Sequence, residues 1–427
     1  MKRAHASYFY RSLAAFLFAL VCVPLAPALA RQPSGLPEPL FAVNDADDWI
    51  FAFKLNGTSF PSGSVSNCPF GGTPQTKLAS QQFITARSSD TLLVPGSGLL
   101  GTSTADPLGA TFNEVYNGGL NFVVWNDQLY QHPRITGCGD GCAGPWGHSK
   151  GVLAWDDAGN GLLLQVTTPS WPGSGTFAAQ RSGSGNTLGC IAKPNNILYS
   201  QHFFALRLNP SDTAAVLDAL ANASVVTDVS NAQLARLGGP EVLRVRAMQL
   251  GRRSNSSTVF DTTLSTGVRL ISKPSELHVP PWQMVSALLG GVGLRTATWW
   301  AAPRIPTTEA GREISCWRSD LGVPGRVEVA LNGQWADKTI SLKGGGNHAK
   351  LGVSINGDHP YVIFGDLNQQ GRLTSKCDSS QNGRGGLFFV IENRQLHGAM
   401  TQLLAGETAP LIIVNTPKRK PNLVRNR

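Results

Sequence analysis

Seven short apolar runs recur along the chain, and they restrict its fold more than any other feature. Several are apolar at every position, without alternation of polar and apolar residues, which is typical of strands in a sheet covered on both faces. The runs are WIFAFKL (49–55), LNFVVW (120–125), GVLAW (151–155), GLLLQVTT (161–168), LGVSI (351–355), YVIFGDL (361–367) and LFFVIEN (387–393).

Helical patterns are fewer. Residues 211–223 place apolar side chains on one side and offer Ser211 as an N-cap. Three shorter candidates, 229–237, 281–289 and 395–405, are each followed by a glycine that can end a helix. Strand-rich segments with a few covering helices predict an α/β sandwich.

The first thirty residues have the pattern of a secretory signal peptide. Basic residues come first, then the apolar run LAAFLFALVCVPLAP, then a small-x-small site at 28–30. A membrane anchor is the alternative, but two prolines interrupt the run and it falls short of the roughly 20 residues that a spanning helix needs. We expect cleavage after residue 30 and a secreted or periplasmic protein without a membrane anchor, or a lysosomal one in a eukaryotic host.

Loss of that segment, which holds three basic and no acidic residues, changes the formal charge from +9 to +6 (+9 minus 3). A moderate positive charge suits a polyanionic partner but selects no function by itself. Six cysteines remain, and an even number in an exported chain predicts up to three disulfides of undetermined pairing. A zinc site is the alternative, although the one close pair lacks a second pair to complete it. They are Cys68, Cys138, Cys142, Cys190, Cys316 and Cys377.

Two His-x-Lys pairs occur 200 residues apart, in GHSKGVLAWD (147–156) and NHAKLGVSIN (347–356). Residues two apart in a strand face the same side, so each histidine should point with its lysine. Each pair is followed by a strand, a polar turn and a second strand, which predicts two similar hairpins. This weak internal repeat indicates two halves related by an approximate two-fold axis.

If those halves face each other, His148 and His348 can share one reaction at phosphorus. One neutral imidazole attacks while the protonated partner supplies a proton to the leaving oxygen, and Lys150 and Lys350 neutralise the other phosphate oxygens. Two ammonium groups can take the place of a metal ion. A His near a Lys in a strand is also common as a simple surface pair, but two matching pairs favour a metal-independent phosphodiesterase.

Five motifs in order resemble the deoxyribonuclease II family, which belongs to the phospholipase D superfamily. They are WNDQ (125–128), GHSKGVLAWD, NTLGC (186–190), NHAKLGV and FGDLN (364–368), with a weaker likeness in DDWIFAFKL (47–55). The resemblance implies a phospholipase D-like fold of two pseudo-symmetric α/β/α sandwich halves, each giving one His-x-Lys motif to a shared central site. We place these halves at 31–245 and 246–416, followed by a basic tail, 417–427, expected to be disordered.

The resemblance also implies an acid endonuclease that cuts double-stranded DNA without a metal or other cofactor and leaves 3′-phosphate ends through a phosphohistidine intermediate. By matching positions, His148 and His348 are the catalytic pair, Lys150 and Lys350 hold the phosphate, and Asn368 binds it. We assign His148 as the nucleophile, although the sequence does not distinguish the two histidines. A homodimer is compatible with cutting both strands.

The chain also departs from the family. A segment that resembles HSVPNFP in animal members reads VTTPSWP (166–172) here, so Val166 replaces a histidine and Ser170 an asparagine. Ser170 can still bind substrate by a hydrogen bond, with less reach. The phospholipase D pattern has an Asp five positions after the Lys; here Asp156 follows Lys150 by six, which agrees with the deoxyribonuclease II spacing, and the second half has Ile355 and Asn356 instead. The phosphate site is therefore expected to be less symmetric than the fold.

Three further residues are weaker candidates. Asp127 and Asp366 could orient an imidazole, or could simply cap strand ends, and Arg384 in GRGG (383–386) could contact the DNA backbone or be a solvated turn residue. Five histidines without a matching partner are interpreted as ordinary polar residues: His132, His202, His278, His359 and His397.

Two other functions fit the same residues. A lipid phosphodiesterase would use the same His-x-Lys chemistry, although FGDLN and the positive charge favour DNA. A secreted, non-catalytic nucleic-acid-binding or toxin-like protein could have kept the fold, as Val166 and Ser170 allow.

Overall fold

A computed structural model describes residues 47–57, 82–98, 100, 107–129, 134–169, 199–356 and 358–411. The proposed signal peptide, the basic tail, Cys68, His132, Ser170 and Cys190 lie outside these ranges. The described chain is a mixed α/β protein that is dominated by two large sheets.

The first sheet has eight strands in the order β3-β2-β1-β7-β6-β5-β4-β8, and all neighbours are antiparallel. Four of its inner strands, β1, β4, β5 and β6, are buried at every position, which confirms the expectation of a sheet covered on both faces. The strands are β1 (Trp49–Lys54), β2 (Phe83–Arg87), β3 (Asp90–Pro95), β4 (Asn121–Asn126), β5 (Lys150–Trp155), β6 (Gly161–Val166), β7 (Gln201–Leu208) and β8 (Ala235–Arg236).

The second sheet has seven strands in the order β12-β11-β15-β16-β17-β10-β9, antiparallel except for the β11–β12 pair. A separate hairpin consists of β13 and β14. The strands are β9 (Phe260–Thr263), β10 (Arg269–Lys273), β11 (Leu294–Ala297), β12 (Val327–Val329), β13 (Asn332–Trp335), β14 (Lys338–Ser341), β15 (Leu351–Ser354), β16 (Tyr361–Gly365) and β17 (Gly386–Glu392).

The two sheets pack against each other through one shared apolar core. At its centre, the ring of Phe364 stacks on those of Phe51 and Phe204, with centroids 4.7 and 4.6 Å apart. Stacked rings of this kind are stabilised beyond the apolar area that they bury. The core therefore holds the start of β5 and the start of β15 on a common framework.

Five described helices cover the sheets: α1 (Pro107–Asn117), α2 (Pro210–Asn222), α3 (Glu241–Ala247), α4 (Pro281–Leu288) and α5 (Arg394–Leu403). Phe112 of α1 packs on the outer face of the first sheet, and Trp282 of α4 packs on the outer face of the second. Both sheets therefore have two apolar faces, which explains the uninterrupted apolar runs in the sequence.

All seven predicted strands and both predicted hairpins are confirmed, as are the helices expected near 211–223, 281–289 and 395–405. The N-cap of α2 is wrong in the sequence interpretation: Asn209 caps the helix through its side chain, and Pro210 begins it. The helix expected at 229–237 is also wrong. There, the side chains of Asp228 and Asn231 accept backbone N–H groups and form turns that end in β8.

Helix α1 was not predicted because Gly109 and Thr111 favour a helix poorly. The helix is stabilised instead by the packing of Leu108, Phe112 and Val115 against the sheet. The expected boundary between residues 245 and 246 falls within α3, between the last strand of the first sheet and the first strand of the second, and it stays a prediction.

Two disulfides lie within the described residues, Cys138–Cys142 and Cys316–Cys377. The first closes the close-spaced pair that zinc binding would have required. Among the described residues, no group of three or more His, Cys, Asp or Glu side chains is arranged to hold a metal ion. In the same ranges, no helix is both long and apolar enough to cross a membrane.

Candidate active site

Both His-x-Lys pairs open onto one cavity of about 390 Å³. Lys150 is the first residue of β5, and Lys350 directly precedes β15, so the two pairs enter the cavity from the same end of equivalent hairpins. The structure brings together six of the nine predicted site residues as lining of this cavity: His148, Lys150, His348, Lys350, Asn368 and Arg384.

The imidazole of His148 is held by the backbone that follows β16. Its Nδ1 atom lies 2.9 Å from the carbonyl oxygen of Asp366. A carbonyl oxygen only accepts hydrogen bonds, so Nδ1 carries the proton and the lone pair of the neutral ring lies on Nε2. The backbone N–H of His148 donates to the carbonyl of Gly385 at 2.8 Å. His148 is thereby oriented by the second sheet, although it belongs to the first.

The imidazole of His348 faces a hydrogen-bond donor at Nδ1, whereas that of His148 faces an acceptor. Its Nδ1 lies 3.2 Å from Nε2 of Gln201, whose own Oε1 accepts a hydrogen bond from Thr167 at 2.8 Å. With the amide in this orientation, Gln201 donates to Nδ1, and the proton of the neutral ring lies on Nε2. The rings of Tyr199 and Trp299 pack on the imidazole, with centroids 4.6 and 4.3 Å away.

Burial and positive charge act together on both histidines. Desolvation and the neighbouring Lys150 hold the pKa of His148 well below its usual range, against the opposing charge of Asp127. Desolvation and then Lys350 lower the pKa of His348 in the same way. Both rings therefore need a more acid solution than a free histidine to become protonated.

A sequence model of the family described as Deoxyribonuclease II matches residues 72–407 of the chain. That range includes both His-x-Lys pairs and most of the two sheets. The chain belongs to the deoxyribonuclease II family. It is thus a hydrolase of DNA phosphodiester bonds, in a family whose members are lysosomal or secreted. A search of curated proteins found no matching sequence.

In this member of the deoxyribonuclease II family, the carboxylate of Asp127 contacts two cations at the cavity, which differs from the expected contact with an imidazole. It accepts a hydrogen bond from Nζ of Lys150 at 2.5 Å and one from Nη2 of Arg384 at 2.9 Å. Burial opposes the charged carboxylate, but Lys150, His148 and Arg384 outweigh it, so the pKa of Asp127 falls well below its usual range. Asp127 therefore fixes where the Lys150 ammonium lies.

Arg384 joins the two sheets at the rim of the cavity. Its guanidinium donates to the carbonyls of Trp146, Cys142 and Gly147 as well as to Asp127. These bonds anchor the GRGG segment to the segment that leads into His148. The structure thus places Arg384 in a network that supports the first His-x-Lys pair, with only 12% of its side chain exposed.

The ammonium of Lys350 donates to the carbonyl of His348 at 2.5 Å. Burial, followed by repulsion from Lys150, lowers its pKa to about 7. Asn368 follows β16, at the same end of the second sheet as Lys350, and its Nδ2 donates to Oε1 of Gln370 at 3.1 Å. One further N–H of that amide group is available to a ligand in the cavity.

His202, which the sequence interpretation treated as an ordinary polar residue, contacts residues at the cavity. Its ring is fully buried, accepts the backbone N–H of Lys350 at Nδ1 and lies 3.2 Å from Oε1 of Gln165 through Nε2. Gln165 in turn donates to Oδ1 of Asp366 at 3.0 Å. The only sequence hint is a polar Gln-His pair at the start of β7, a strand that is otherwise apolar except for Arg207.

Asp366 thus acts at this site through two different groups. Its backbone carbonyl orients His148, whereas its carboxylate accepts hydrogen bonds from the side-chain amide of Gln165 and the backbone N–H of Leu387. Burial raises the pKa of this carboxyl to about 6. The expected orienting role therefore falls on the main chain of Asp366.

Val166 and Asp156, which the motif comparison singled out, both lie in the first hairpin. Val166 ends β6 and packs among apolar residues on the outer face of the first sheet. Asp156 lies in the β5–β6 turn, where its carboxylate accepts the N–H groups of Ala158 and Asn160. Both positions support the hairpin and stand apart from the cavity lining. Ser170, the remaining predicted residue, falls outside the described ranges.

Proposed function

We propose that this protein is an acid endonuclease that hydrolyses double-stranded DNA without a metal ion, through a phosphohistidine intermediate, and leaves 3′-phosphate ends. One observation carries the proposal: the two histidines of the cavity have opposite partners at Nδ1. Neutral His148 exposes a lone pair at Nε2, and His348 holds its proton there. A nucleophile and a proton donor are thereby distinguished before substrate binds.

In the first step, Nε2 of His148 attacks phosphorus and forms an N–P bond. The bond between phosphorus and the 5′ oxygen breaks as His348, protonated on both ring nitrogens with the Gln201 amide turned to accept from Nδ1, gives its Nε2 proton to that oxygen. The 3′ end of the cut strand remains on His148 as a phosphohistidine, and the 5′-hydroxyl strand leaves.

In the second step, neutral His348 takes a proton from water, whose oxygen attacks phosphorus. The N–P bond breaks, His148 is regenerated, and the product carries a 3′-phosphate. Lys150, Lys350 and the amide of Asn368 stabilise the negative oxygens in both steps. We propose Ser170 as a further hydrogen-bond donor to substrate, and we assign to Arg384 the support of Lys150 through Asp127.

The strand orders support a phospholipase D-like fold of two pseudo-symmetric halves. Read from opposite ends, β2-β1-β7-β6-β5-β4-β8 matches β9-β10-β17-β16-β15-β11-β12. The matched strands include β5 and β15, which start at the two His-x-Lys pairs, and the hairpins that follow them. In this interpretation a duplicated sheet explains why one chain has two similar motifs.

The lowered histidine pKa values support activity in acid. Catalysis needs His148 neutral and His348 protonated, and kcat/KM reports the pKa values of the free enzyme. Because burial and the lysines lower both pKa values, the bell-shaped profile should have its maximum below the ~6.5 of a free histidine. The apparent values belong to the coupled pair.

The test is cleavage of supercoiled plasmid by the mature protein in excess EDTA, from about pH 4 to pH 9. We expect nicking on the acid side, 3′-phosphate ends, and loss of activity in His148→Ala and His348→Ala. Wild-type protein quenched in alkaline denaturant, in which an N–P bond persists, should carry labelled substrate on His148. A His359→Ala variant, at an exposed histidine, is the matched control.

Each other outcome points to a different function. Cleavage only when a divalent ion is added would overturn metal independence. Hydrolysis of phosphatidylcholine vesicles in preference to plasmid would assign a lipid phosphodiesterase. DNA binding without cleavage at any pH would assign a non-catalytic binder.

A further inference from the structure

Two lysines are buried beneath the site, and the mechanism above does not use them. Lys54 ends β1 and Lys273 ends β10, and neither side chain has measurable exposure. A buried ammonium group is costly unless hydrogen bonds compensate it, so a protein rarely keeps one without a reason.

The lysines bind main-chain carbonyls in the same pattern. Nζ of Lys54 donates to the carbonyls of Leu55 and Tyr199, at 3.0 and 2.8 Å. Nζ of Lys273 donates to the carbonyl of the next residue, Pro274, at 3.2 Å. It also donates to the carbonyls of Asn382 and Arg384, at 2.7 and 3.0 Å.

The positions correspond strand by strand. Lys54 on β1 lies opposite Gln201, the first residue of β7, and Lys273 on β10 lies opposite Gly386, the first residue of β17. In each sheet, the lysine therefore anchors the chain as it enters the strand next to its own.

The residue just before each of these strands binds the backbone of the histidine from the other His-x-Lys pair. Ser200, just before β7, accepts the backbone N–H of His348 at 2.8 Å. Gly385, just before β17, accepts the backbone N–H of His148 at the same distance. Through the main chain, Lys54 of the first sheet is thus linked to His348, and Lys273 of the second sheet is linked to His148.

We infer that Lys54 and Lys273 are a matched pair of positioning residues, each of which fixes the strand entry that holds the catalytic histidine of the opposite half. This rests on the proposed histidine-pair mechanism. The lysines do not touch the reacting atoms. They act through the main chain that sets the depth and orientation of each imidazole. Small displacements of a reacting group lower the rate of catalysis strongly.

Electrostatics adds a second route for Lys54. Its positive charge contributes to the low pKa of His348, after burial and the charges nearer the ring. Burial lowers the pKa of both lysines to about 7, so in acid each is protonated and can donate all three of its N–H groups.

The first experiment measures the main chain directly and needs no turnover. Amide hydrogen exchange is followed for His148 and His348 in the full chain, with Lys54→Met, Lys273→Met and the exposed control Lys343→Met. We expect Lys54→Met to speed amide exchange at His348 by at least about tenfold and to leave exchange at His148 unchanged. Lys273→Met should speed exchange at His148 by a similar factor and leave exchange at His348 unchanged. The pKa of His348 should also rise in Lys54→Met, by NMR titration.

The second experiment separates the two histidine roles. The substrates are plasmid DNA and thymidine 3′-(p-nitrophenyl phosphate), whose leaving group needs no proton. Lys273→Met should lower kcat on both, by up to about 10²-fold, because the nucleophile is displaced. Lys54→Met should lower kcat on DNA much more than on the nitrophenyl ester, because the proton donor is displaced. KM should change little.

An equal change in the amide exchange rates of His148 and His348 in either variant would overturn the inference. So would an equal loss of kcat on both substrates in Lys54→Met. Should a Met variant fail to fold, the Gln variant, which keeps an amide donor, replaces it. Loss of folding in that variant too would assign the lysine to general stability and also overturn the inference. Crosswise exchange with no nuclease activity in the wild type would retain the positioning role and reject the proposed function.

Discussion

The imidazole of His348 lies nearly parallel to the ring of Tyr199, with their centroids 4.6 Å apart and an angle of 17° between their planes. Tyr199 comes from the segment before β7 in the first sheet, whereas His348 precedes β15 in the second. The same segment supplies Ser200, which accepts the N–H of His348. The first sheet thus controls both the backbone and the ring of the second histidine.

Loss of this ring should impair the orientation of His348. We expect Tyr199→Ala to lower kcat by about 2- to 10-fold, since an aromatic pair is stabilised by ~0.5–1.5 kcal/mol. Tyr199→Phe keeps the ring and should retain nearly wild-type kcat, which makes it the matched control. Plasmid nicking rates at saturating DNA measure both. Equal loss in the two variants would assign the effect to the hydroxyl group and contradict the stacking role.

The amide of Gln201 should set the working pH through the proton of His348. In Gln201→Glu, a carboxylate faces Nδ1 and favours the charged imidazole, so the pKa of His348 should rise. We expect the alkaline limb of the kcat/KM profile to move upward by about one pH unit. Gln334→Glu, at an exposed glutamine, is the control. An unchanged alkaline limb would show that residue 201 does not control the pKa of His348.

Buried cations should make the folded protein more stable as the pH rises above neutrality. Burial lowers the pKa of Lys54, Lys273 and Lys350 to about 7, whereas an unfolded lysine has a pKa of ~10.4. Between these values the unfolded chain binds more protons, so the free energy of unfolding increases with pH. One pKa unit corresponds to ~1.4 kcal/mol, and the gain from about pH 7 to pH 10 should reach several kcal/mol.

Buried histidines extend the same trend to lower pH. The pKa values of His148, His202 and His348 are lowered by burial, so protonation of the unfolded chain below ~6.5 also favours unfolding. Asp366 opposes them, because its raised pKa of about 6 makes folding more favourable as the pH falls through that value toward the ~3.9 of an unfolded aspartate.

Thermal unfolding between pH 6 and pH 9 tests this balance, since most of the change in the Asp366 contribution lies below that range. We expect Tm to rise across the range, less steeply in Lys54→Met and with unchanged slope in the exposed control Lys343→Met. A Tm that falls from pH 6 to pH 9 would show that these ammonium groups are solvated.

The sequence alone determined the local structure and the chemical groups of the site. Uninterrupted apolar runs predicted the seven strands because a strand buried on both faces needs apolar residues at successive positions. The i, i+2 spacing placed each histidine with its lysine, and the turn residues after them predicted both hairpins. Family motifs supplied the same four residues and Asn368. The failures were local as well: the helix at 229–237 yielded to Asp and Asn turns, which compete for the backbone.

Only the tertiary structure decided which group each histidine meets at Nδ1. The bond from His148 to the carbonyl of Asp366 spans 218 positions, and the one from Gln201 to His348 spans 147. No local pattern encodes such a contact, because it depends on how the two sheets pack. For the same reason His202, Lys54 and Lys273 looked ordinary in the sequence: their importance lies in main-chain groups that folding brings to them from the opposite strand or sheet.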